Sequence, residues 1–301
     1  MWVTVAGLAL VSGAGAAQDA KHLPVMGVAV ENSDQPVDPD FAAKAGNLNL
    51  KSASVLVFDQ SSGRTLYAKN TLSVVPIASI TKLMTAMVVL DSQLALDEPV
   101  TISEADMDDI KGTRSRLRIG ATLKRSDLLH LALMASENRA AAALSRAYPG
   151  GTAAFVAAMN RKAIELGMWQ TRFVEATGLS SENVSTARDL SKMVSAAHRY
   201  PLIREYTTDT AYSVTAKHRT VNYRNSNRLV QNPNWQIGLS KTGYISEAGR
   251  CLVMQAVIAA RPVVIVLLDS WGMLTRIADA NRIKKWMESN TAHRLAGHPD
   301  S

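Results

Sequence analysis

The sequence predicts an α/β fold, in which an antiparallel sheet is flanked by helices and an all-helical subdomain is inserted between the strands. Two patterns predict this fold. Segments typical of strands lie near residues 52–68 and again after residue 211, and the segment between them has apolar residues at helical spacing. With 301 residues, 47% hydrophobic and 20% charged, the chain is long enough to bury a full core.

The first 17 residues resemble a secretory signal peptide, because they are apolar and small and end in Ala14-Gly15-Ala16-Ala17 before a polar stretch. No Lys or Arg precedes Lys21, so either the true start lies upstream or the signal is atypical. The apolar run is shorter than the roughly 20 residues that span a bilayer. Residues 18–49 are polar and contain prolines, which is typical of a linker.

The folded domain is expected to span residues 50–290, with a polar tail over 291–301. It begins with a hairpin. Apolar and β-branched residues favour a strand over Ser52–Asp59, Ser61-Ser62-Gly63 favours a turn, and a second strand covers residues 64–68. A helix is then predicted from Ser79 to about Leu94, because apolar side chains recur at a spacing of about 3.6 residues.

Four further helices are predicted from N-cap residues, apolar spacing and C-terminal breakers. They begin at Ser126, cover residues 138–146, extend from Thr152 to Gly167, and extend from the N-cap Thr186 to His198 before Pro201. Strands return over residues 211–216, 237–244, 250–259 and 263–269. Short turns join them, so we expect antiparallel pairing, and a last helix from Leu274 to about Met287 closes the domain.

Composition excludes several classes of function. The single Cys251 rules out a disulfide within the chain, and the six histidines lack the spacing of a zinc motif, so no metal or cofactor is predicted. The net charge of +7 suits an anionic partner, such as a wall polymer, a membrane surface or nucleic acid. The densest basic group consists of Arg114, Arg116, Arg118, Lys124 and Arg125. It lacks interleaved aromatic residues, so a solvated face is favoured and nucleic acid is not expected.

The motif Ser79-Ile80-Thr81-Lys82 offers a nucleophile together with its base. A serine hydroxyl needs an adjacent base, and this spacing places a lysine amine one helical turn away on the same face. Burial and a second positive charge would lower the pKa of Lys82 so that it can lose its proton. The predicted helix start also supplies backbone N–H groups for an oxyanion. Because such a pair occurs by chance about once in a chain of this length, the motif is weak alone.

Two more motifs follow in order. Ser136-Glu137-Asn138 adds a hydroxyl for proton transfer and an amide that can orient a substrate, although a serine at this place is also an ordinary helix cap. Lys241-Thr242-Gly243 falls in a predicted strand, where glycine usually marks the close approach of a backbone or ligand. An extended peptide can pair with such a strand edge. The three motifs in this order are typical of penicillin-binding proteins and class A β-lactamases.

From about Leu50 to Trp286 the chain resembles the D-alanyl-D-alanine peptidases of the low-molecular-mass penicillin-binding proteins. Beyond the three motifs, the resemblance extends over residues 133–138, 176–179, 185–190, 238–243 and 248–249. It implies a β-lactamase/transpeptidase-like fold. It also implies an acyl-enzyme on Ser79 with Lys82 as the base, completed by Ser136 and Asn138.

The same resemblance implies a substrate-binding set. Lys241, Thr242 and Gly243 would bind the substrate, and the backbone N–H groups of Ser79 and Tyr244 would form the oxyanion hole. The family also binds a terminal carboxylate through an arginine. Arg276 matches its place in the sequence, and Arg250 is a competing candidate.

Within the family, the chain is most similar to the endopeptidases, which cut D-alanyl-diaminopimelate crosslinks of peptidoglycan in the periplasm and which β-lactams acylate. Glu137 stands where many carboxypeptidases have glycine, and the chain ends soon after the last predicted helix. A D-Ala-D-Ala carboxypeptidase is the alternative, and peripheral membrane association is left open. A β-lactamase would need a carboxylate base, but neither Glu175 nor Glu182 has the expected sequence around it. The intact Lys82 disfavours a wall-binding or β-lactam-sensing protein without turnover.

Overall fold

The described residues of this computed structural model, 37–39, 41, 48–216 and 219–296, form eleven strands and seven α-helices. The strands are β1 (Ser52–Asp59), β2 (Arg64–Lys69), β3 (Val75–Pro76), β4 (Pro99–Thr101), β5 (Thr122–Lys124), β6 (Val184–Ser185), β7 (Ala211–Ala216), β8 (Arg219–Arg224), β9 (Gln236–Ile245), β10 (Gly249–Ile258) and β11 (Arg261–Ser270). The helices are α1 (Thr81–Asp91), α2 (Arg125–Met134), α3 (Asn138–Arg146), α4 (Gly151–Glu165), α5 (Ala187–Ala197), α6 (Pro201–Thr208) and α7 (Thr275–Ala296). None of the helices within these residues is both long and apolar enough to cross a bilayer. The predicted signal peptide, 1–17, and most of the predicted linker lie outside the described residues.

The central sheet has five antiparallel strands in the order β2-β1-β11-β10-β9. The first long strand lies beside the last, with Ser52 opposite Ser270 and Val57 opposite Ile265. The chain between them therefore leaves the sheet, forms the helical block and returns, as the sequence predicts. In this sheet β9 pairs with β10 and leaves its other side as an edge.

Strand β11 separates two apolar cores, because successive residues of a strand face opposite sides. Val263 and Ile265 face a core that includes the buried side of α7. Val264 and Val266 face the larger core, to which α1 to α5 contribute. All four of these strand residues are completely buried, so both faces of the sheet are covered.

Where a side chain caps the helix, the observed helix start agrees with the start predicted from the sequence. Thr186 caps α5 as predicted, since its hydroxyl accepts the backbone N–H of Asp189 at 3.1 Å. The predicted caps Ser126 and Thr152 are wrong, because both residues lie inside the first helical turn. Helix α4 instead follows Gly150, whose φ of 83° is a left-handed conformation that glycine adopts at low cost.

Several short elements were not predicted. Pro201 begins α6 instead of ending a helix, because proline fits the first helical turn, where its missing N–H costs nothing. Strand β8 pairs with β7 along all six residues, yet only Tyr223 of β8 is buried. Its sequence therefore has little of the apolar alternation that predicts a strand. The short ladder β4–β5 and strand β6 also lie in the block that was predicted to be helical, and β6 pairs with β3, which precedes that block.

The packed domain extends further than predicted at both ends. Helix α7 continues to Ala296 and so enters the predicted polar tail. At the other end, Phe41 of the predicted linker is buried and packs edge-on against Trp286, with ring centroids 5.1 Å apart. Val37 forms a parallel bridge with Thr65. The Phe41 ring is thus part of the core although the segment around it is polar. Val37 and Phe41 are packed against the domain, which differs from the predicted linker.

Asp279 joins α7 to the start of β1. Its carboxylate is buried and accepts hydrogen bonds from the backbone N–H groups of Lys51 and Ser52, at 3.0 and 2.8 Å. The Ser52 hydroxyl donates to it at 2.7 Å, and Arg282 pairs with it at 2.5 Å. One carboxylate therefore satisfies donors from two elements that are far apart in sequence.

We expect Asp279→Ala to lower the free energy of unfolding by about 3 kcal/mol, because it leaves buried donors without an acceptor. Urea denaturation measures this change. The control is Asp97→Ala, which removes an exposed carboxylate and should change stability little. Equal stability of the two variants would show that the Asp279 contacts do not hold the helix to the sheet.

Candidate active site

Ser79 lies in a tight 3-10 turn, Ala78–Ile80, directly before α1. Two glycines approach the backbone of this turn closely. A Cβ on Gly178 would lie 1.9 Å from the Ala78 carbonyl oxygen, and a Cβ on Gly243 would lie 3.1 Å from the Ser79 nitrogen. Ala78 itself has a φ of 48°, which is uncommon for a residue with a side chain. The turn is therefore held between the loop of Gly178 and strand β9.

The amine of Lys82 lies beside the Ser79 hydroxyl and is fully buried. Its Nζ donates to Ser79 Oγ at 2.9 Å, to Asn138 Oδ1 at 2.7 Å and to the Thr177 carbonyl at 2.5 Å. Burial lowers the pKa of Lys82 to about 8, although the carboxylate of Glu175 opposes this shift. An amine that loses its proton near neutral pH can accept the proton of a serine hydroxyl.

A second buried lysine faces the same cleft. Lys241 Nζ donates to Ser136 Oγ at 2.8 Å and to the Thr242 carbonyl at 2.9 Å. Burial lowers the pKa of Lys241 well below its usual value, and the charges of Lys82 and Arg276 lower it further. Ser136 has a φ of 61° and makes no cap bond to α3, so it is not an ordinary helix cap.

The remaining motif side chains line a cleft of about 500 Å³. Asn138, the first residue of α3, donates its amide to Thr113 Oγ1 at 3.0 Å. Thr242 donates to Ser226 Oγ at 2.7 Å. The cleft is lined by Ser79, Lys111, Thr113, Ser136, Asn138, Leu179, Ser226, Thr242, Gly243, Tyr244, Ile245, Ser246 and Arg276. The structure therefore brings residues from all three motifs to one place.

The two candidate arginines occupy different places. Arg276, in the first turn of α7, lines the cleft, and its Nη1 is buried with no hydrogen-bond partner among the described residues. Burial lowers the pKa of Arg276, and the nearby charge of Arg250 lowers it further. Arg250 instead lies over the ring of Tyr244, 4.5 Å from its centroid. The geometry favours Arg276 as the arginine that faces a ligand.

Glu175 holds the loop that supplies an acceptor to Lys82, a role that the sequence analysis missed. Its carboxylate accepts the backbone N–H groups of Thr177 and Gly178, at 2.5 and 2.6 Å, and the amide of Asn183 at 2.9 Å. The sequence signal for this role is a glutamate that stands two and three residues before the residues whose backbone N–H groups it binds. Glu182 instead pairs with Arg172 at 2.9 Å on the surface.

Other residues of the cleft were missed because no motif marks them. Lys111 lines the cleft and pairs with Glu247 at 2.5 Å, which links the helical block to the turn after β9. Thr113 and Ser226 each bond a motif side chain. These contacts join segments that are distant in sequence, so spacing alone could not reveal them.

A serine hydroxyl next to a buried amine, beside the free edge of a strand, defines a site for acyl transfer. The sequence model of the family Peptidase S11, described as D-alanyl-D-alanine carboxypeptidase, matches residues 41–271. The chain belongs to this family of serine peptidases.

Named relatives cover most of the chain. A D-alanyl-D-alanine endopeptidase of Pseudomonas aeruginosa is 52% identical over 242 residues, 80% of this chain and 78% of the relative. The D-alanyl-D-alanine endopeptidase of Escherichia coli (strain K12) is 47% identical over 250 residues, 82% of this chain and 81% of the relative. The crystal structure of the Streptomyces K15 DD-transpeptidase matches with a TM-score of 0.74 and 30% identity, covering 80% of this chain and 98% of that one. The predicted family and fold class are confirmed.

We expect Gly178→Ala to slow acylation by labelled penicillin by roughly a hundredfold, because the added methyl group displaces the Ser79 turn. The control is Gly112→Ala. Gly112 also has a positive φ, of 63°, but a Cβ there would meet nothing within 4 Å. Similar acylation rates of the two variants would show that the close contact with Ala78 does not position Ser79.

Proposed function

We propose that this protein is a serine DD-endopeptidase that hydrolyses D-alanyl-diaminopimelate crosslinks in peptidoglycan. The observation that carries the chemistry is the 2.9 Å contact between Lys82 Nζ and Ser79 Oγ, since it pairs a nucleophile with a buried amine whose pKa is about 8. The names of the Pseudomonas aeruginosa and Escherichia coli relatives support the endopeptidase specificity.

In the proposed acylation, Ser79 Oγ attacks the carbonyl carbon of the D-alanyl residue while Lys82 takes the hydroxyl proton. The carbonyl oxygen becomes an oxyanion, and the backbone N–H groups of Ser79 and Tyr244 are its proposed donors. The C–N bond to diaminopimelate then breaks, and the proton that Lys82 took from Ser79 passes to the leaving amine through the hydroxyl of Ser136, which Lys241 holds by a hydrogen bond. Lys82 is thereby neutral again. The D-alanyl group remains as an ester on Ser79.

In the proposed deacylation, a water molecule attacks this ester. Lys82 accepts a proton from the water, and Ser79 Oγ leaves with a proton, so the enzyme returns to its starting state. Asn138 would orient the substrate, and the edge of β9 at Lys241, Thr242 and Gly243 would pair with the extended peptide. The cationic Arg276 is the proposed partner of the substrate carboxylate.

A D-Ala-D-Ala carboxypeptidase is the second candidate, because that is the description of the matched family. A β-lactamase is disfavoured. The carboxylate of Glu175 is bound by its own loop, and Glu182 is paired with Arg172, so neither is free to activate water. We therefore regard β-lactams as acylating inhibitors whose adduct on Ser79 persists.

We further propose that the protein acts in the periplasm. Residues 1–17 resemble a secretory signal peptide, and the net charge of +7 complements a wall polymer that carries carboxylates. The periplasmic location of the substrate is consistent with both features.

The acylation rate should fall by about tenfold for each pH unit below the pKa of Lys82, which is about 8, because only the neutral amine can accept a proton. Stopped-flow measurements with a labelled penicillin over roughly pH 6 to 9 test this dependence. Lys82→Ala is the control and should acylate very slowly at every pH. A wild-type rate that does not change with pH would remove Lys82 from the role of base.

Incubation with purified crosslinked muropeptide dimers tests the specificity. Conversion of dimers to monomers is the expected result, with loss of activity in Ser79→Ala and full activity in Ser73→Ala, a change at an exposed serine in the same region. Loss of terminal D-alanine alone would indicate a carboxypeptidase. Unchanged dimers would indicate a binding protein without turnover.

A further inference from the structure

A cationic groove of about 240 Å³ lies outside the cleft, between the segment 116–121 and the hairpin β7–β8. We call it the arginine groove. Its residues are Arg116, Leu117, Arg118, Ile119, Ala121, Val214, Ala216, Arg219 and Val221. Leu117, Ala121 and Val214 belong to the main apolar core. Ala216 and Val221 are half-buried and Ile119 is exposed, so these three form an apolar floor that a ligand can contact, between three exposed arginines. A concave apolar surface with convergent polar groups is typical of a binding site.

Arg116 is held in place within the groove. Its Nη1 donates to the Asn222 carbonyl at 2.7 Å, and its guanidinium lies 3.9 Å from the centroid of the buried Tyr223 ring. The segments 113–121 and 211–224 contain no Asp or Glu. No ion pair joins the arginines of these segments to a carboxylate within the described residues, although the charge of Glu137 acts on the Tyr223 hydroxyl together with those of Arg116 and Arg219. The arginines outnumber this one carboxylate, so the groove presents a positive potential to solvent.

The groove changes the interpretation of the densest basic group in the sequence. Arg125 of that group is buried and bonded to Glu98 at 2.5 Å, so it is structural. Arg116 and Arg118 instead line the groove together with Arg219, which stands about a hundred residues later in the chain. The recess places guanidinium groups beside accessible apolar surface, which suits a ligand that has both carboxylates and small apolar groups.

We propose that the arginine groove is a second binding site, which takes a stem peptide of peptidoglycan through its carboxylates. A guanidinium binds a carboxylate through two parallel hydrogen bonds, and the small apolar floor suits alanine methyl groups. Stem peptides combine both features, since they contain alanine together with glutamate and diaminopimelate. A lipid headgroup layer is planar and would meet the rim of the recess, so it is the less suitable occupant.

The groove is close enough to the cleft to act on the same substrate. Thr113 lines the cleft, and Arg116 and Arg118 follow it by three and five residues, so they lie within about 11 and 18 Å of it. The scissile bond lies where two stem peptides meet, so a peptide of four residues extends roughly 13 Å from Ser79 on each side. One stem peptide of a crosslinked dimer bound in the cleft can therefore extend past Thr113 toward the Arg116 side of the groove. The inference rests on the proposed function, because the same polymer is the substrate.

The test is co-sedimentation of the full chain with purified peptidoglycan sacculi, in a Ser79→Ala background that prevents hydrolysis. Arg118→Ala/Arg219→Ala should weaken binding by roughly tenfold. The control Arg161→Ala/Arg199→Ala removes the same charge from two other exposed arginines and should bind as the parent does. Equal weakening in both double variants would indicate bulk charge attraction and overturn the proposal. Unchanged binding in the groove variant would also overturn it.

Two further ligands distinguish binding of the stem peptide from binding of the glycan strand or of a lipid surface. Glycan strands stripped of stem peptides should show no dependence on Arg118 and Arg219, and a dependence there would overturn the peptide assignment. Phosphatidylglycerol vesicles should bind both double variants equally. Loss of vesicle binding in the groove variant, with sacculus binding retained, would make the groove a lipid site.

Activity with Ser79 intact distinguishes failure of this inference from failure of the proposed function. Penicillin acylation should be unchanged in Arg118→Ala/Arg219→Ala, which also shows that the variant is folded. The KM for crosslinked dimers should rise while kcat stays constant, and a change in kcat alone would contradict a binding role. If the parent protein does not cleave dimers, the proposed function fails, yet the sedimentation result still decides whether the groove binds stem peptides.

Discussion

Two lysine amines are buried beside the cleft, and every acceptor of their hydrogen bonds is a neutral oxygen. Burial of a charged ammonium is costly unless a counter-charge is in contact, so the pKa of Lys82 and that of Lys241 are both lowered. The site can keep these amines in place only if each acceptor is held rigidly, because a lost acceptor leaves a donor buried and unsatisfied. The rest of the site follows from this constraint.

The loop that contains Thr177 shows how the acceptors are held. Glu175 binds the backbone of this loop, and Asn183 donates both to Glu175 and to the Thr81 hydroxyl, at 2.9 and 3.1 Å. The Asn183 carbonyl accepts the backbone N–H of Ile77 at 3.1 Å. One buried amide residue therefore ties the loop to both sides of the Ser79 turn. In such a network the position of the Ser79 hydroxyl and the pKa of Lys82 depend on the same bonds.

The sequence predicts those features that depend on local pattern. The bounds of β1, α3 and β7 agree with their apolar spacing, and the Thr186 cap agrees with its side-chain chemistry. The features that it misses depend on contacts between distant segments. Lys82 and the Thr177 carbonyl are 95 positions apart, and Lys111 and Glu247 are 136 apart. Gly150 begins a helix through its φ and not through a side chain, and the arginine groove needs the register of β7 and β8.

The free edge of β9 lies beside the two buried lysine amines and is suited to a peptide ligand. A strand edge of ten residues is a liability, because its unpaired N–H and C=O groups can bind another chain. In this protein the Ser79 turn packs against β9 at Gly243, where any side chain would press on the backbone of the turn. Lys241, on the same strand, has its side-chain amine buried. Thr242, Gly243 and Tyr244 of this strand line the cleft beside the turn. In the proposed function, an extended peptide that pairs with this edge would lie beside the Ser79 hydroxyl and the buried Lys82 amine.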